Sequence, residues 1–153
     1  MAGISQLIIV DSGGLDTPSA SVKLQRLRGL EGEARRDAAR ANLLAIMLHD
    51  PTSVDDLALH IGAVNAPRGR LSVGDLVLPD RLIRALEHVS CPVAAIWGEC
   101  DQLHGDPPTQ LAALRSVQPQ CRFRVIPQAG HWAMYESPAA FNQALQELLA
   151  PAA

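Results

Sequence analysis

The sequence has no long apolar run and no block of basic residues. The first apolar run, Leu7–Val10, is too short for a signal peptide, and nothing reaches the roughly 18 apolar residues of a membrane span. The 13 Lys and Arg residues are outnumbered by 16 Asp and Glu residues, for a net charge of −3. We therefore expect no membrane insertion and no nucleic-acid partner, since both call for features that are missing here.

Cysteine is scarce and odd in number. A paired disulfide framework needs an even set, and this chain has three cysteines, Cys91, Cys100 and Cys121. All three lie in or beside predicted strands, where a free thiol behaves as a small apolar group. We therefore expect reduced cysteines and a cytoplasmic location.

The remaining composition is that of a globular protein of one domain, or most of one. Of 153 residues, 48% are hydrophobic and 19% charged. Short apolar runs predict strands at Leu7–Val10, 93–97 and Arg122–Ile126, and helical periodicity predicts helices at 108–117 and Pro138–Leu149. Strands that alternate with helices at these lengths predict an α/β fold with a short parallel sheet of three strands.

The long segment between the first two strands has a different pattern. Apolar spacing predicts helices over 32–49, 57–64 and 80–89, the second with Ser53 as N-cap and Asp56 in a capping-box position. No strand is predicted among them. We therefore divide the chain into a core, residues 1–14 and 90–153, and a helical insertion, residues 15–89.

Two residues stand where parallel sheets bind ligands, beyond the carboxyl ends of strands. His131 follows the third strand in the sequence Gly-His-Trp, and Asp101 follows the second in Trp-Gly-Glu-Cys-Asp. An imidazole titrates near neutrality, which suits a general base, and a carboxylate would fix its tautomer. We identify Asp101 and His131 as candidate catalytic residues. Trp132 is the candidate substrate-binding residue, with packing under the last helix as the alternative.

Other polar residues near these strand ends are weaker candidates. Glu99 competes with Asp101 but lies closer to the strand end, where we expect it to be solvated. The set Cys100, Asp101, His104 and His131 contains one Cys-x3-His spacing and no second pair, which is weak evidence for zinc. We assign no metal site and no cofactor. The segment 11–14, Asp-Ser-Gly-Gly, lacks a phosphate-loop spacing and is interpreted as a turn.

In order, these features resemble the C-terminal half of an α/β-hydrolase. Leu7–Val10 and its exit loop are similar to the family's sixth strand, and residues 15–89 to the helical cap that follows it. The segments ending at Asp101 and His131 resemble strands seven and eight with the triad acid and histidine. Within the superfamily, the chain is most like the meta-cleavage-product (carbon–carbon bond) hydrolases and related esterases. The resemblance implies a hydrolase that acts on a small-molecule substrate.

The sequence departs from that pattern in two respects. Carbon–carbon hydrolases of this type bring a cap arginine to the substrate carboxylate, but the matching helix has His60-Ile61-Gly62, with Arg68 and Arg70 further on. More importantly, the Gly-x-Ser-x-Gly nucleophile elbow is absent from the sequence. Ser12, Ser72 and Ser90 do not occupy elbow contexts.

These departures give two hypotheses of different classes. In the first, the chain is a hydrolase half that retains the triad acid and base, lacks the nucleophile and is inactive alone. In the second, it is a non-catalytic binding or assembly module. Both leave the first strand with an uncovered edge, which favours self-association or pairing with a complementing N-terminal half.

Overall fold

The computed structural model describes residues 3–65 and 79–150. Within them are three strands, β1 (Leu7–Val10), β2 (Val93–Gly98) and β3 (Arg122–Ile126), and six α-helices. The helices are α1 (Gly32–Ile46), α2 (Asp56–Asn65), α3 (Arg81–Leu86), α4 (Pro107–Val117), α5 (Ala133–Glu136) and α6 (Pro138–Leu149), with a 3₁₀ turn at Pro51–Ser53. Arg68, Arg70 and Ser72 lie outside the described residues.

The strands form one parallel sheet in the order β1-β2-β3. Leu7 pairs with Val93 and Ala94 with Arg122, so all three strands run the same way and their carboxyl ends share one edge. β2 is buried along its whole length. The predicted α/β class and the parallel sheet of three strands are therefore confirmed. β1 is more exposed than its unbroken apolar run suggests, because only Ile9 is fully buried.

Alternation along β2 separates the core into two layers. Val93, Ala95 and Trp97 face a cluster that includes residues of α3 and α4. Ala94 and Ile96 face the opposite cluster, to which α5 and α6 contribute. The sheet is thus covered by helices on both faces, which explains why β2 contains no polar residue.

The helices of the long insertion pack in two places. α1 and α2 contribute to a third apolar cluster around Leu43, Leu48 and Leu59. α3 instead contributes Leu86 to the cluster against the sheet. The predicted boundaries of core and insertion, at residues 14/15 and 89/90, stay a prediction.

Several element ends differ from the sequence-based expectation. α1 ends at Ile46, not at residue 49, and the third helix covers only Arg81–Leu86 of the predicted 80–89. The predicted N-cap at Ser53 is wrong, because Pro51 begins a 3₁₀ turn that includes Ser53. Asp55 takes the capping role, its Oδ1 accepting the N–H of Ala58 at 2.8 Å. No helix among the described residues is long and apolar enough to cross a bilayer.

Candidate active site

The loops after β2 and β3 are joined by backbone hydrogen bonds. Glu99 N–H donates to the Ile126 carbonyl at 3.0 Å, and Cys100 N–H donates to the Ala129 carbonyl at 2.8 Å. The exposed Glu99 carboxylate accepts the backbone N–H of Gln128 at 2.9 Å. Glu99 therefore stabilises the turn after β3, and Asp101, not Glu99, is the acid in contact with His131.

Two glycines permit this close approach of the loops. A Cβ on Gly98 would lie 2.6 Å from the Ala129 carbonyl oxygen and still closer to that of Gly130. A Cβ on Gly130 would lie 2.9 Å from the His49 nitrogen and 3.0 Å from the Met47 carbonyl oxygen. A side chain at Gly98 would separate the strand ends that carry the candidate acid and base, and one at Gly130 would push away the segment after α1.

Asp101 and His131 meet at the carboxyl edge of the sheet. His131 Nδ1 lies 3.1 Å from Asp101 Oδ2, a hydrogen bond in which the ring nitrogen donates to the carboxylate. The Asp101 side chain is fully buried, while 19% of the His131 side chain is exposed. The ring is therefore anchored on its Nδ1 side and reachable from solvent, as a general base must be.

A second histidine shares the same carboxylate oxygen. His104 Nδ1 lies 3.3 Å from Asp101 Oδ2, and the two imidazole ring centres are 5.1 Å apart. Asp101 Oδ1 accepts the Leu103 N–H at 2.7 Å, closing a tight turn that returns the chain to the carboxylate. The sequence indicated His104 only as a weak metal candidate. Its three-residue distance from Asp101 was the one available signal.

These contacts keep Asp101 ionised. Burial alone would raise the pKa of its carboxyl, but hydrogen bonds from His104, His131 and the Leu103 N–H outweigh it and hold the pKa well below the usual value. An ionised acid favours the tautomer of His131 with its proton on Nδ1, which leaves Nε2 free to accept a proton.

Asp11 is a further buried acid at this edge, and the sequence interpretation as a turn missed its burial. It is 5% exposed, with φ +37°, and its Oδ1 accepts the Gly98 N–H at 2.7 Å. Its Oδ2 has no partner within the described residues. Burial raises the pKa of Asp11 to about 8. The Gly98 hydrogen bond lowers this pKa and the negative charge of Asp101 raises it, both by less than burial does. The raised pKa favours the protonated form of the Asp11 carboxyl.

Glu136 fixes the histidine loop from the other side. Its Oε2 accepts the Gly130 N–H, and its Oε1 accepts the N–H groups of His49 and Asp50, all at 2.6 Å. Trp132 N–H also donates to the Met47 carbonyl at 2.8 Å. The segment after α1 is thereby held against the residues on both sides of His131.

Trp132 lines an apolar cavity between α1 and α2. Within the described residues the cavity has a volume of about 400 Å³, with walls that include Leu24, Leu43, Leu59 and Gly62. A larger cavity of about 710 Å³ lies by the amino ends of the strands, with Gln6 and Val93 in its lining. It is therefore remote from His131 and not a candidate for the site.

A parallel sheet of three strands, with helices on both faces and an Asp–His pair at its carboxyl edge, matches the C-terminal part of an α/β-hydrolase fold. The chain belongs to the alpha/beta hydrolase family, whose model matches residues 1–144. No curated protein matches the sequence significantly.

Solved structures share the fold at low sequence identity. A protein described as an aryl esterase from Burkholderia cenocepacia is 22% identical, with a TM-score of 0.71, over 96% of this chain and 55% of that one. A thermophilic esterase from Thermogutta terrifontis is 21% identical, with a TM-score of 0.58, over 95% of this chain and 55% of that one. The 2-hydroxy-6-oxo-6-phenylhexa-2,4-dienoate hydrolase from Rhodococcus sp. strain RHA1 is 19% identical, with a TM-score of 0.54, over 94% of this chain and 54% of that one. The chain thus spans about half the length of these proteins, and both predicted subgroups are represented.

Proposed function

We propose that this chain supplies the acid–base half of a hydrolase active site that acts on an ester or a carbon–carbon bond. His131 takes a proton from a serine hydroxyl and returns it to the leaving group, while Asp101 orients the ring and stabilises the imidazolium. The observation that carries the proposal is the 3.1 Å hydrogen bond between a partly exposed imidazole and a buried, ionised carboxylate. Family membership supports hydrolase chemistry in general.

In this proposal the nucleophile is supplied from outside these 153 residues, because the sequence contains no Gly-x-Ser-x-Gly elbow. Without an activated hydroxyl, His131 has no proton to take, and without oxyanion donors a further factor of about 10²–10³ in rate is missing. We propose that the chain alone does not turn over esters. Residues 15–89 act as the cap, and the cavity beside Trp132 receives the apolar part of the substrate.

The experiment compares the chain with a polypeptide extended by the coding sequence upstream of Met1. We expect the chain alone to hydrolyse 4-nitrophenyl esters no faster than its His131→Gln variant, and to escape labelling by a fluorophosphonate serine probe. If the extension carries an elbow, we expect ester turnover that His131→Gln and Asp101→Asn reduce by about 10⁴-fold. Turnover of the extended protein that survives both substitutions would exclude the assigned roles.

A further result would locate a nucleophile within the chain. Sustained ester turnover by the chain alone, abolished by His131→Ala, would retain the base but refute inactivity. His60→Gln is the matched control, because His60 is an exposed histidine on α2. If turnover depends on His131 specifically, His60→Gln should hydrolyse the ester as fast as the parent chain does.

The second candidate, an assembly module, rests on the outer edge of β1. Leu7 and Asp11 N–H groups donate to the β2 side, so those of Ile8 and Val10 face the other way. If this edge pairs with a second strand, the chain forms a defined oligomer in sedimentation. We then expect Ile8→Pro to dissociate it, while Ile8→Ala, which keeps the N–H, and Asp101→Asn do not. A monomeric chain would count against this candidate.

A further inference from the structure

We propose that Asp101, His104 and His131 form a binding site for Zn²⁺. These residues offer one carboxylate oxygen and two imidazole nitrogens, all within 4.8 Å of one another. Two imidazoles and a carboxylate are a ligand set that zinc takes in proteins, with a fourth position left to water. Cys100, the other residue of the sequence-based set, does not belong to this group.

The spacing of each histidine nitrogen from the carboxylate oxygen is close to that around a tetrahedral ion. The Nδ1 atoms of His131 and His104 lie 3.1 and 3.3 Å from the same oxygen, Asp101 Oδ2. Donors about 2.0–2.2 Å from a tetrahedral zinc ion are about 3.3–3.6 Å apart from each other. An outward movement of the two rings would open these two distances to tetrahedral values and place three donors, all within 4.8 Å of one another, around one ion.

The site is closed on the carboxylate side and open on the other. The Asp101 side chain is fully buried, whereas 20% of the His104 and 19% of the His131 side chain are exposed. His104 also lines a cavity of about 300 Å³, together with Gly13 and Gly14. The exposed sides leave room for a water ligand and for entry of the ion.

The surroundings hold the His104 ring with its Nδ1 side toward Asp101. A Cβ on Gly13 would lie 2.8 Å from His104 Nε2, so the Gly13 backbone covers that side of the ring. The His104 carbonyl accepts a hydrogen bond from the buried Gln110 amide. The Gly13 contact limits rotation of the His104 ring, and the Gln110 hydrogen bond holds the backbone that carries it.

Zinc at this site would compete with base function, a consequence that rests on the proposed function. If His131 binds the ion through Nδ1, its remaining proton sits on Nε2, the nitrogen that has to accept the proton of the nucleophile. The Asp101 hydrogen bond to the ring is lost as well. The zinc-bound state is therefore an inhibited one.

The test titrates the full chain with ZnCl₂ by calorimetry, and needs no turnover. We expect saturable binding of one ion per chain, weakened at least about tenfold by His104→Gln and by His131→Gln. Gly13→Ala keeps all three ligands but displaces the His104 ring, and we expect it to weaken binding too. His60→Gln and Cys100→Ser should bind like the parent.

The ligand type is checked with Co²⁺ in place of Zn²⁺. We expect d–d absorption of a nitrogen and oxygen site, without the charge-transfer band of a thiolate. The proposal is refuted by a lack of saturable binding, by binding that both His→Gln variants retain, or by a thiolate band that disappears in Cys100→Ser. Because the measurement is binding alone, its failure leaves the proposed hydrolase role untouched, and failure of that role leaves a zinc result intact.

Discussion

The Glu136 carboxylate accepts the backbone N–H of Gly130 at 2.6 Å, directly before the candidate base. The same carboxylate accepts the N–H groups of His49 and Asp50, 87 and 86 residues away in sequence. Three N–H donors thus converge on one acidic side chain. This contact joins the loop that carries His131 to the segment after α1.

The first prediction concerns Glu136→Gln. Glutamine keeps the shape but replaces one acceptor oxygen with an NH₂ group, which faces an N–H and cannot accept it. We expect a loss of about 1–3 kcal/mol in the free energy of unfolding, measured in urea. Amide exchange of Gly130, His49 and Asp50 should accelerate together. Glu147→Gln alters only exposed contacts with Arg124 and Gln143 and should leave the free energy of unfolding almost unchanged.

The second prediction contrasts two glycines. Gly98→Ala places a Cβ against two backbone carbonyl oxygens, which cannot move without separating β2 and β3. We expect a loss of more than about 3 kcal/mol, or no folded protein. Gly62 lies in α2, where a Cβ meets only Leu43 at an ordinary 3.5 Å. Gly62→Ala should therefore stabilise the chain by about 0.5–1 kcal/mol in the same assay. Equal effects would contradict the close approach.

Part of this site could be predicted from the sequence because its signals are local. The apolar runs of β2 and β3 and the residues that follow them place Asp101 and His131 at one edge, and parallel pairing brings them together. The Glu136 contacts and the burial of Asp11 depend on tertiary packing, whereas His104 reaches Asp101 across only three residues of sequence. No periodicity encodes which long-range N–H an acid accepts, so Glu136 and Asp11 could not be distinguished from surface acids.

The N-cap of α2 was missed for a local reason. Ser53 and Asp56 have capping-box spacing, but Pro51 favours a first turn of its own and Asp50 accepts the Thr52 N–H there at 2.8 Å. The next acid, Asp55, then caps α2. Two helix-start signals lie within six residues. Pro51 favours the 3₁₀ turn at the first of them, so α2 begins only after Asp55.

The third prediction concerns Gln110, which is 1% exposed. Its Oε1 accepts the Thr17 hydroxyl at 3.0 Å, and its amide donates to the His104 carbonyl. Gln110→Glu keeps the volume but sets an acceptor against that carbonyl. We expect a loss of about 1–3 kcal/mol at neutral pH in urea unfolding. The exposed Gln102 donates weakly at 3.4 Å, and Gln102→Glu should be near neutral. If both variants unfold alike, the buried amide does not hold the His104 loop.

The last prediction is a pH dependence that originates at Asp11. Its pKa is raised from 3.8 to about 8 in the folded chain. Between these values the unfolded chain has released this proton and the folded chain keeps it. The folded state therefore binds more protons, and its stability falls as pH rises, by up to about 1.4 kcal/mol per pH unit from this group. Above the folded pKa the contribution is lost and the slope ends.

Asp11→Asn removes that slope while keeping an oxygen for the Gly98 N–H. We expect the variant to gain stability relative to the parent between about pH 5 and pH 8, measured by urea unfolding at each pH. Asp101 does not contribute there, because a lowered pKa acts only below the ordinary value, where stability is lost as pH falls. Asp106→Asn is the control: its pKa is lowered by the Thr109 N–H, so its effect should be constant over this window. A difference between Asp11→Asn and parent that does not change with pH would show that Asp11 is ionised in the folded chain.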